Sequence, residues 1–324
     1  MTDILVLVEH DGGTPKKVTN QILTAASKVG DGQVVAAVFG DGAADAADKL
    51  GEFGASKALV WEAPEADAYA TEPKVAALVA AIEASGAGIV LYAADPFVTD
   101  VVARAAVRIA GGVVADAIDL ELDGDRMVAT KAIFGGDMTS RCQVIGDRIQ
   151  FIGVKPNSFQ AEASGGSAPE VQSLEVDLPE SATRATITDV VDAESSGRPE
   201  MTEAAIIVSG GRGLGDADGF ELIGQLADAL GGAVGASRAA TDAGWIAHNH
   251  QIGQTGKTVS PQLYVASGIS GAIQHRAGMQ TAQTIAVINK DAEAPIFSIA
   301  DMGVVGDLYK VIPPLVEEIN KRKG

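Results

Sequence analysis

The sequence predicts an α/β protein built from two doubly wound, mostly parallel-sheet domains. Three observations carry that expectation. Short apolar runs recur without polar alternation, amphipathic stretches of helical length separate them, and the alternation pauses near residue 160 and restarts after residue 200. Strands with apolar residues on both faces need cover on both faces, which crossover helices supply in a parallel sheet. The expected boundaries are 1–160 for the first domain, 161–200 for a linker region and 201–324 for the second domain. A chain of 324 residues is long for one hydrophobic core and comfortable for two.

Taken in order, "DILVLVEH" (3–10), "VVAAVFG" (34–40), "KALVWEA" (57–63) and "GIVLYAA" (88–94) read as buried strands. Helical periodicity fills 18–29, 72–85 and 98–110 between them. From 116 to 154 the pattern shifts to short strands and turns, as in "LELDGDRMVATKAIFGG", which predicts an antiparallel excursion completing the first domain. "SGGSAP" (164–169) and "AESSGRPE" (193–200) have linker composition, with a strand between them at 171–178. The second domain is expected to run strand 204–211, helix 220–230, strand 233–237, loop 241–262, strand 263–268 and a helix from Ser270. Strands at 284–290 and 296–301 and a last helix over 305–321 complete it.

Bulk composition removes several function classes. Lys and Arg total 24 against 43 Asp and Glu, a net charge of −19, which repels phosphodiester backbones and anionic membranes. Nucleic acid is therefore not an expected partner. The single cysteine, Cys142, sits in a predicted strand as a small core residue and excludes a cysteine-ligated metal centre within the chain. His248 and His250 lack a third ligand, so no metal site is expected. No targeting leader or uncharged apolar run of membrane length is evident, and the expected location is cytoplasmic.

Chemistry in open parallel sheets gathers beyond the carboxyl ends of the strands. The second domain places polar residues at most of those ends: "SGGRGLG" with Arg212, then Ser237-Arg238, "SGISGAIQH", Asn289-Lys290 and "DMGVVGDL". Arginines at strand ends need solvent, a carboxylate or an anionic ligand, so Arg212 and Arg238 fit either ligand contacts or ion pairs with Asp216 and Asp242. "GISG" (268–271) suits a pyrophosphate at a helix N-terminus or an ordinary glycine-rich turn. "IGQTGKTVS" (252–260) has the Gly-Lys-Thr of a phosphate loop, yet the glycine required five places before Gly256 is Gln251. With arginine, threonine, amides and His275 but no evident nucleophile, such a pocket suits a cofactor that performs the redox chemistry itself.

Five blocks in this order, "GGRGLG", "AVGASRAATDAG", "QIGQTGKTVSPQLYVASGISGAIQHRAGM", "INKDAEAPIF" and "ADMGVVGDLYKVIPPL", closely resemble the electron transfer flavoprotein α subunit. The match spans 204–324 and extends more loosely to "ILVLVEH" and "AIFGGD" in the first domain. The resemblance implies a nucleotide-α-hydrolase-like N-terminal domain contacting a β subunit. It also implies a Rossmann-like C-terminal domain binding one FAD in a cleft shared with β. The heterodimer would be an electron carrier rather than an enzyme. It would take electrons from flavin dehydrogenases, such as the acyl-CoA dehydrogenases of fatty acid β-oxidation, and pass them to a quinone oxidoreductase or another acceptor through an anionic semiquinone.

By motif, Ile252, Gly253, Gln254 and Thr255 would lie against the isoalloxazine, with the Thr255 hydroxyl near N5. Arg238 would sit over the ring and His275 at the pyrimidine O2 side, so Arg238, Thr255 and His275 would tune the redox chemistry. Gly268, Ser270, Gly271, Ala272, Ile273 and Gln274 would form the pyrophosphate turn. Arg212, Ser237, Asn289, Asp307 and Leu308 would line the phosphate, ribityl and adenosine end. Two residues depart from the family pattern: Thr241, usually a valine, and Met302, frequently aromatic. The absence of an N-terminal cysteine cluster is expected to exclude forms with a ferredoxin-like domain. A nicotinamide dehydrogenase would need a glycine fingerprint after the first strand, and "VEHDGGTPKK" lacks that spacing. A phosphate-loop NTPase fails at Gln251, and a bifurcating carrier would depend on a second FAD in the β subunit.

Overall fold

The apolar runs predicted as strands become parallel neighbours because their apolar residues are buried on both faces of the sheet. The computed structural model describes residues 2–190 and 197–323. In chain order the first sheet draws on Ile4–Leu7 (β1), Val34–Phe39 (β2), Lys57–Trp61 (β3), Ile89–Ala93 (β4), Gly112–Asp123 (β5), Arg126–Ile133 (β6), Met138–Cys142 (β7), Gln150–Val154 (β8) and Glu170–Ser173 (β9). Their spatial order is β9-β3-β2-β1-β4-β8-β5-β6-β7. On β1, Ile4 and Val6 face a core shared with Val18 and Ile22 of helix α1 (Lys17–Val29). Leu5 and Leu7 face the opposite core. That second face is covered by α4 (Glu72–Ser85) and α5 (Pro96–Arg108), after the short helices α2 (Ala43–Ala47) and α3 (Glu65–Ala68). Two-sided burial is the reason these strands show no polar alternation.

The antiparallel excursion expected over 116–154 is only partly present. β5 and β6 do pair antiparallel. β8, however, inserts parallel between β4 and β5. Its sequence, "QFIGV", is buried throughout and therefore belongs at the sheet's interior rather than on a one-sided hairpin. The strand expected at 171–178 is Glu170–Ser173, an exposed edge strand parallel to β3. Residues 193–196 of the second linker candidate lie outside the described residues. Cys142 ends β7 and packs half-buried against the first core.

The chain divides into two units, Met1–Ala132 with Thr139–Val191, and Ile133–Met138 with Asp192–Gly324. The second unit carries a wholly parallel sheet of Ile206–Gly210 (β10), Ala233–Ala236 (β11), Leu263–Ser267 (β12), Thr284–Asn289 (β13) and Met302–Val305 (β14), in the order β11-β10-β12-β13-β14. Helices α6 (Gly219–Leu230) and α9 (Leu308–Lys323) cover one face, and a core around Tyr264, Met279 and Ile296 fills the other. The strand expected at 296–301 is instead a 3-10 turn, Pro295–Ile299, followed by β14. Pro295 opens that turn because its fixed φ suits a helical first position and it has no N–H for a sheet ladder. The helix expected from Ser270 is one turn, Ile273–Arg276 (α8). Within the expected loop, α7 (Arg238–Asp242) and a 3-10 turn at His248–His250 provide local order. Among the described residues no helix is long and apolar enough to cross a membrane.

Candidate functional site

The second sheet reverses direction of growth at β10: the chain steps outward to β11, then returns to add β12, β13 and β14 on the other side. Loops leaving adjacent strands on opposite sides of such a switch part from one another and leave a crevice. The crevice here is a cleft of about 710 Å³. Its walls come from four successive strand ends: Arg212-Gly213 after β10, Ser237 to Asp242 after β11, Gly268 to His275 after β12, and Asn289 to Asp291 after β13. The 251–255 loop closes it, held by the Ile252 N–H donating to Ala236 O at 2.9 Å and the Gln254 N–H donating to Gln274 O at 2.8 Å.

The cleft gathers Arg212, Ser237, Arg238, Ile252, Gly253, Gln254, Thr255, Gly268, Ser270, Ala272, Gln274, His275 and Asn289 from the residues expected by sequence. Four expected residues stand outside its lining. Gly271 is packed beneath the turn against Ile296, and the Ile273 side chain is exposed. Asp307 caps α9, its carboxylate accepting from the Tyr309 N–H at 3.1 Å. Leu308 is buried in the core between α6 and α9. The helix expected from Ser270 behind the 268–274 turn is reduced to α8, whose four residues contribute little aligned dipole.

Both readings of the strand-end arginines are represented. Arg238 lines the cleft and also bonds Asp242 at 3.1 Å, one helical turn along α7. Arg212 has no carboxylate within ion-pair distance among the described residues, and Asp216 instead accepts from the Gly219 N–H at the start of α6. Lys290 joins them, so the walls hold three cations against Asp242 and Asp291 in a chain of net charge −19. An anionic group is therefore locally favoured. Ser237 adds an orphan: it precedes α7 without capping it, and its buried hydroxyl has no hydrogen-bond partner among the described residues. A buried unsatisfied hydroxyl on a residue that lines the cleft fits a polar ligand group.

His275 occupies an unexpected position. The ring is 6% exposed, with Nδ1 3.0 Å from Ile252 O and Nε2 2.9 Å from the Tyr264 hydroxyl. A carbonyl only accepts, so Nδ1 carries the proton and Nε2 receives the tyrosine O–H. Burial pushes the pKa of His275 down to about 4, against a smaller opposing effect of the Ile252 carbonyl. The imidazole is neutral, and its ring nitrogens brace the loop rather than presenting a cation. Asn289 is likewise engaged, donating to Ile269 O at 2.9 Å and accepting from the Asp291 N–H at 3.0 Å.

Sequence reasoning did not assign Gln251 or Asp291 to the cleft, and it carried Ile269 and Lys290 only as members of "GISG" and "Asn289-Lys290" without a ligand role of their own. Gln251 had a signal of its own: it is the residue that breaks the phosphate-loop pattern. Lys257, which would grip phosphate in such a loop, bonds Glu200 at 3.3 Å and is not part of the cleft wall. His250 donates through Nδ1 to Val234 O, 2.9 Å away, and no group of three or more His, Cys, Asp or Glu among the described residues is placed to hold a metal ion.

Comparison with known proteins agrees with this geometry. Residues 4–179 match the family described as "Electron transfer flavoprotein domain", and residues 200–280 match "Electron transfer flavoprotein FAD-binding domain". The chain is 47% identical to "Electron transfer flavoprotein subunit alpha" of Mycobacterium leprae, covering 100% of both chains. It is 38% identical to the protein of the same description in Bacillus subtilis, covering 98% of this chain and 97% of that one. Identity to the mitochondrial form of Dictyostelium discoideum is 35%, over 98% and 92% of the two chains.

Proposed function

The chain belongs to the electron transfer flavoprotein family, as an α subunit with an FAD-binding domain, and on that premise we propose that FAD lies in the cleft between the ends of β10 to β13. The family is one of electron carriers. We further infer that this carrier accepts electrons from flavin dehydrogenases, acyl-CoA dehydrogenases among them, and delivers them to a quinone oxidoreductase or another acceptor. It does so in the cytoplasm as a heterodimer with a β subunit contacted by the first domain, and it has no substrate-converting site of its own. The observation that supports the cleft most directly is the meeting of three cations and the orphan Ser237 hydroxyl at a topological switch point.

FAD, when bound, supplies one-electron redox chemistry. The chain's residues hold and bias it. Arg212 and Lys290 would attract the pyrophosphate, and Ser237 would donate a hydrogen bond from a buried position. Arg238 would supply positive charge over the ring, and Asp242 would temper that charge. Thr255 offers its hydroxyl to the ring. His275 acts through the backbone, fixing the Ile252 carbonyl so that the 252–255 loop keeps its shape. Asp307 and Leu308 serve the framework of α9.

Reductive titration of the heterodimer checks this assignment. Arg238→Ala is expected to lower the yield of the anionic one-electron-reduced flavin several-fold, and Asp242→Asn to raise it, because each removes one of two opposed charges. An unchanged yield in Arg238→Ala would remove the arginine from its assigned role. A wild-type heterodimer that is colourless would remove FAD from the cleft altogether.

A further inference from the structure

Gln251 is 1% exposed, and its side-chain amide is caught between two hydroxyls. Thr241 Oγ1 lies 2.9 Å from Oε1, and Thr255 Oγ1 lies 3.0 Å from Nε2. Thr241 has a second neighbour, the backbone carbonyl of Arg238 at 3.0 Å. A hydroxyl carries one proton and two lone pairs, whereas an amide nitrogen only donates and an amide oxygen only accepts. These rules fix the direction of every bond in the row. As arranged, Thr241 donates to Gln251, Gln251 donates to Thr255, and the Thr255 proton remains free for the cleft.

A half-turn of the terminal amide reverses the whole row. Nε2 then donates to Thr241, Thr241 donates to the Arg238 carbonyl, and Thr255 donates to Oε1. Thr255 is left offering a lone pair to the cleft instead of a proton. Neither arrangement leaves Nε2 or Oε1 facing a group that cannot answer it, because the Arg238 carbonyl gives the Thr241 proton somewhere to go. Both satisfy the amide within a buried site, where an unmatched amide would be costly; the second makes three bonds in the row, and the first makes two and keeps the Thr255 proton for a group in the cleft.

We propose that the Gln251 amide is a two-position element that converts the Thr255 hydroxyl from donor to acceptor towards the cleft, with Thr241 the residue that keeps both positions satisfied. The proposal rests on the reading of the cleft as the FAD site, with Thr255 near N5. Oxidised N5 carries a lone pair and accepts a hydrogen bond; protonated N5 of the reduced ring donates one. A single fixed hydroxyl orientation matches one of these states, and a reversible one matches both. Gln251 and Thr241 are therefore positioning residues, acting on the ring through Thr255. The threonine at 241 is what supports both positions, since a valine there supports only half of the row.

With valine at 241, one position of the amide buries Oε1 against a methyl group and the other buries Nε2. An unanswered donor is the less tolerated of the two, so Nε2 stays on Thr255 and the hydroxyl is held as a donor. The test uses the heterodimer with its FAD, carrying Thr241→Val or Thr241→Ser. Spectroelectrochemistry reads the two one-electron midpoints, and side-chain amide NMR of 15N-glutamine-labelled protein reads Gln251 in the oxidised and fully reduced forms. Thr241→Val is expected to leave the first midpoint in place and make the second step about tenfold less favourable. Thr241→Ser, which retains the hydroxyl, is expected to restore it. The Gln251 amide resonances are expected to exchange environments on reduction in wild type and not in Thr241→Val. Equal shifts of both midpoints, no shift in either, or a Gln251 amide unmoved by reduction in wild type would each overturn the switch. Wild type that retains no flavin would instead overturn the FAD reading beneath it.

Discussion

Acidifying the protein from pH 7 to pH 4 is expected to cost about 3 kcal/mol of stability through one imidazole. His275 is neutral in the fold, and burial holds its pKa near 4 rather than 6.5. Between those values the unfolded chain binds a proton at this position and the folded chain does not, so stability rises with pH through that window and is lost as pH falls. Above pH 6.5 the contribution is complete. Protonation would force Nε2 to become a second donor opposite the Tyr264 hydroxyl, which stands 2.9 Å away in a site closed to solvent. The measurement is urea unfolding of wild type and His275→Gln at intervals between pH 4 and 7. Carboxylates titrate in both proteins, so the difference between the two slopes isolates the imidazole. Parallel slopes would show that the ring is free to charge in the folded state.

A comparable loss is expected from adding one methyl group at Gly271. This residue has φ of +82°, and a Cβ built there would lie 2.5 Å from both the backbone nitrogen and the Cβ of Ile296. Ile296 is fully buried, and its N–H donates to Ser270 O at 3.0 Å, so neither side of the contact can retreat cheaply. Left-handed strain and overpacking together should cost Gly271→Ala about 3 kcal/mol or more. The displaced turn carries Ser270, so FAD content should fall as well. Gly86→Ala is the control: φ there is +67°, yet nothing lies within 4 Å, and only the smaller backbone cost of about 1 kcal/mol should remain. Similar unfolding midpoints for the two variants would show that the Gly271–Ile296 contact gives way more readily than the geometry indicates.

The parts of the fold most legible in the sequence were those governed by burial alone. β1 to β4 and α1, α4 and α5 fall within a few residues of their expected places, because unbroken apolar runs and amphipathic stretches are direct records of burial. Order within the sheet was less legible. "QFIGV" announces a buried strand, but nothing local says that it will pair with the strand at 89–93, some sixty positions earlier. The 295–305 region misled because "IFSIA" has strand composition while Pro295 directs it into a turn, and the following "MGVV" pairs through its backbone with its side chains exposed. In the cleft, residue types at strand ends were readable from topology. Roles that depend on a partner's proton were not: His275 reads as an available donor until Tyr264 and Ile252 are seen on either side of it, and Gln251 reads as a mismatch until Thr241 and Thr255 flank it.

The cleft draws its walls from the carboxyl ends of four strands, with the 251–255 loop closing it. The turns that deliver the chain into those strands, such as Gly231-Gly232 before β11 and Pro261-Gln262 before β12, lie at the opposite end of the sheet and contribute nothing to the walls. For protein engineering this amounts to two insulated ports. A peptide tag inserted at Gly231-Gly232 faces the end that only connects, while a graft into any one of the four lips rewrites a quarter of the cleft and leaves the other three in register. No single lip carries the cleft by itself, because its coherence resides in the order of the strands.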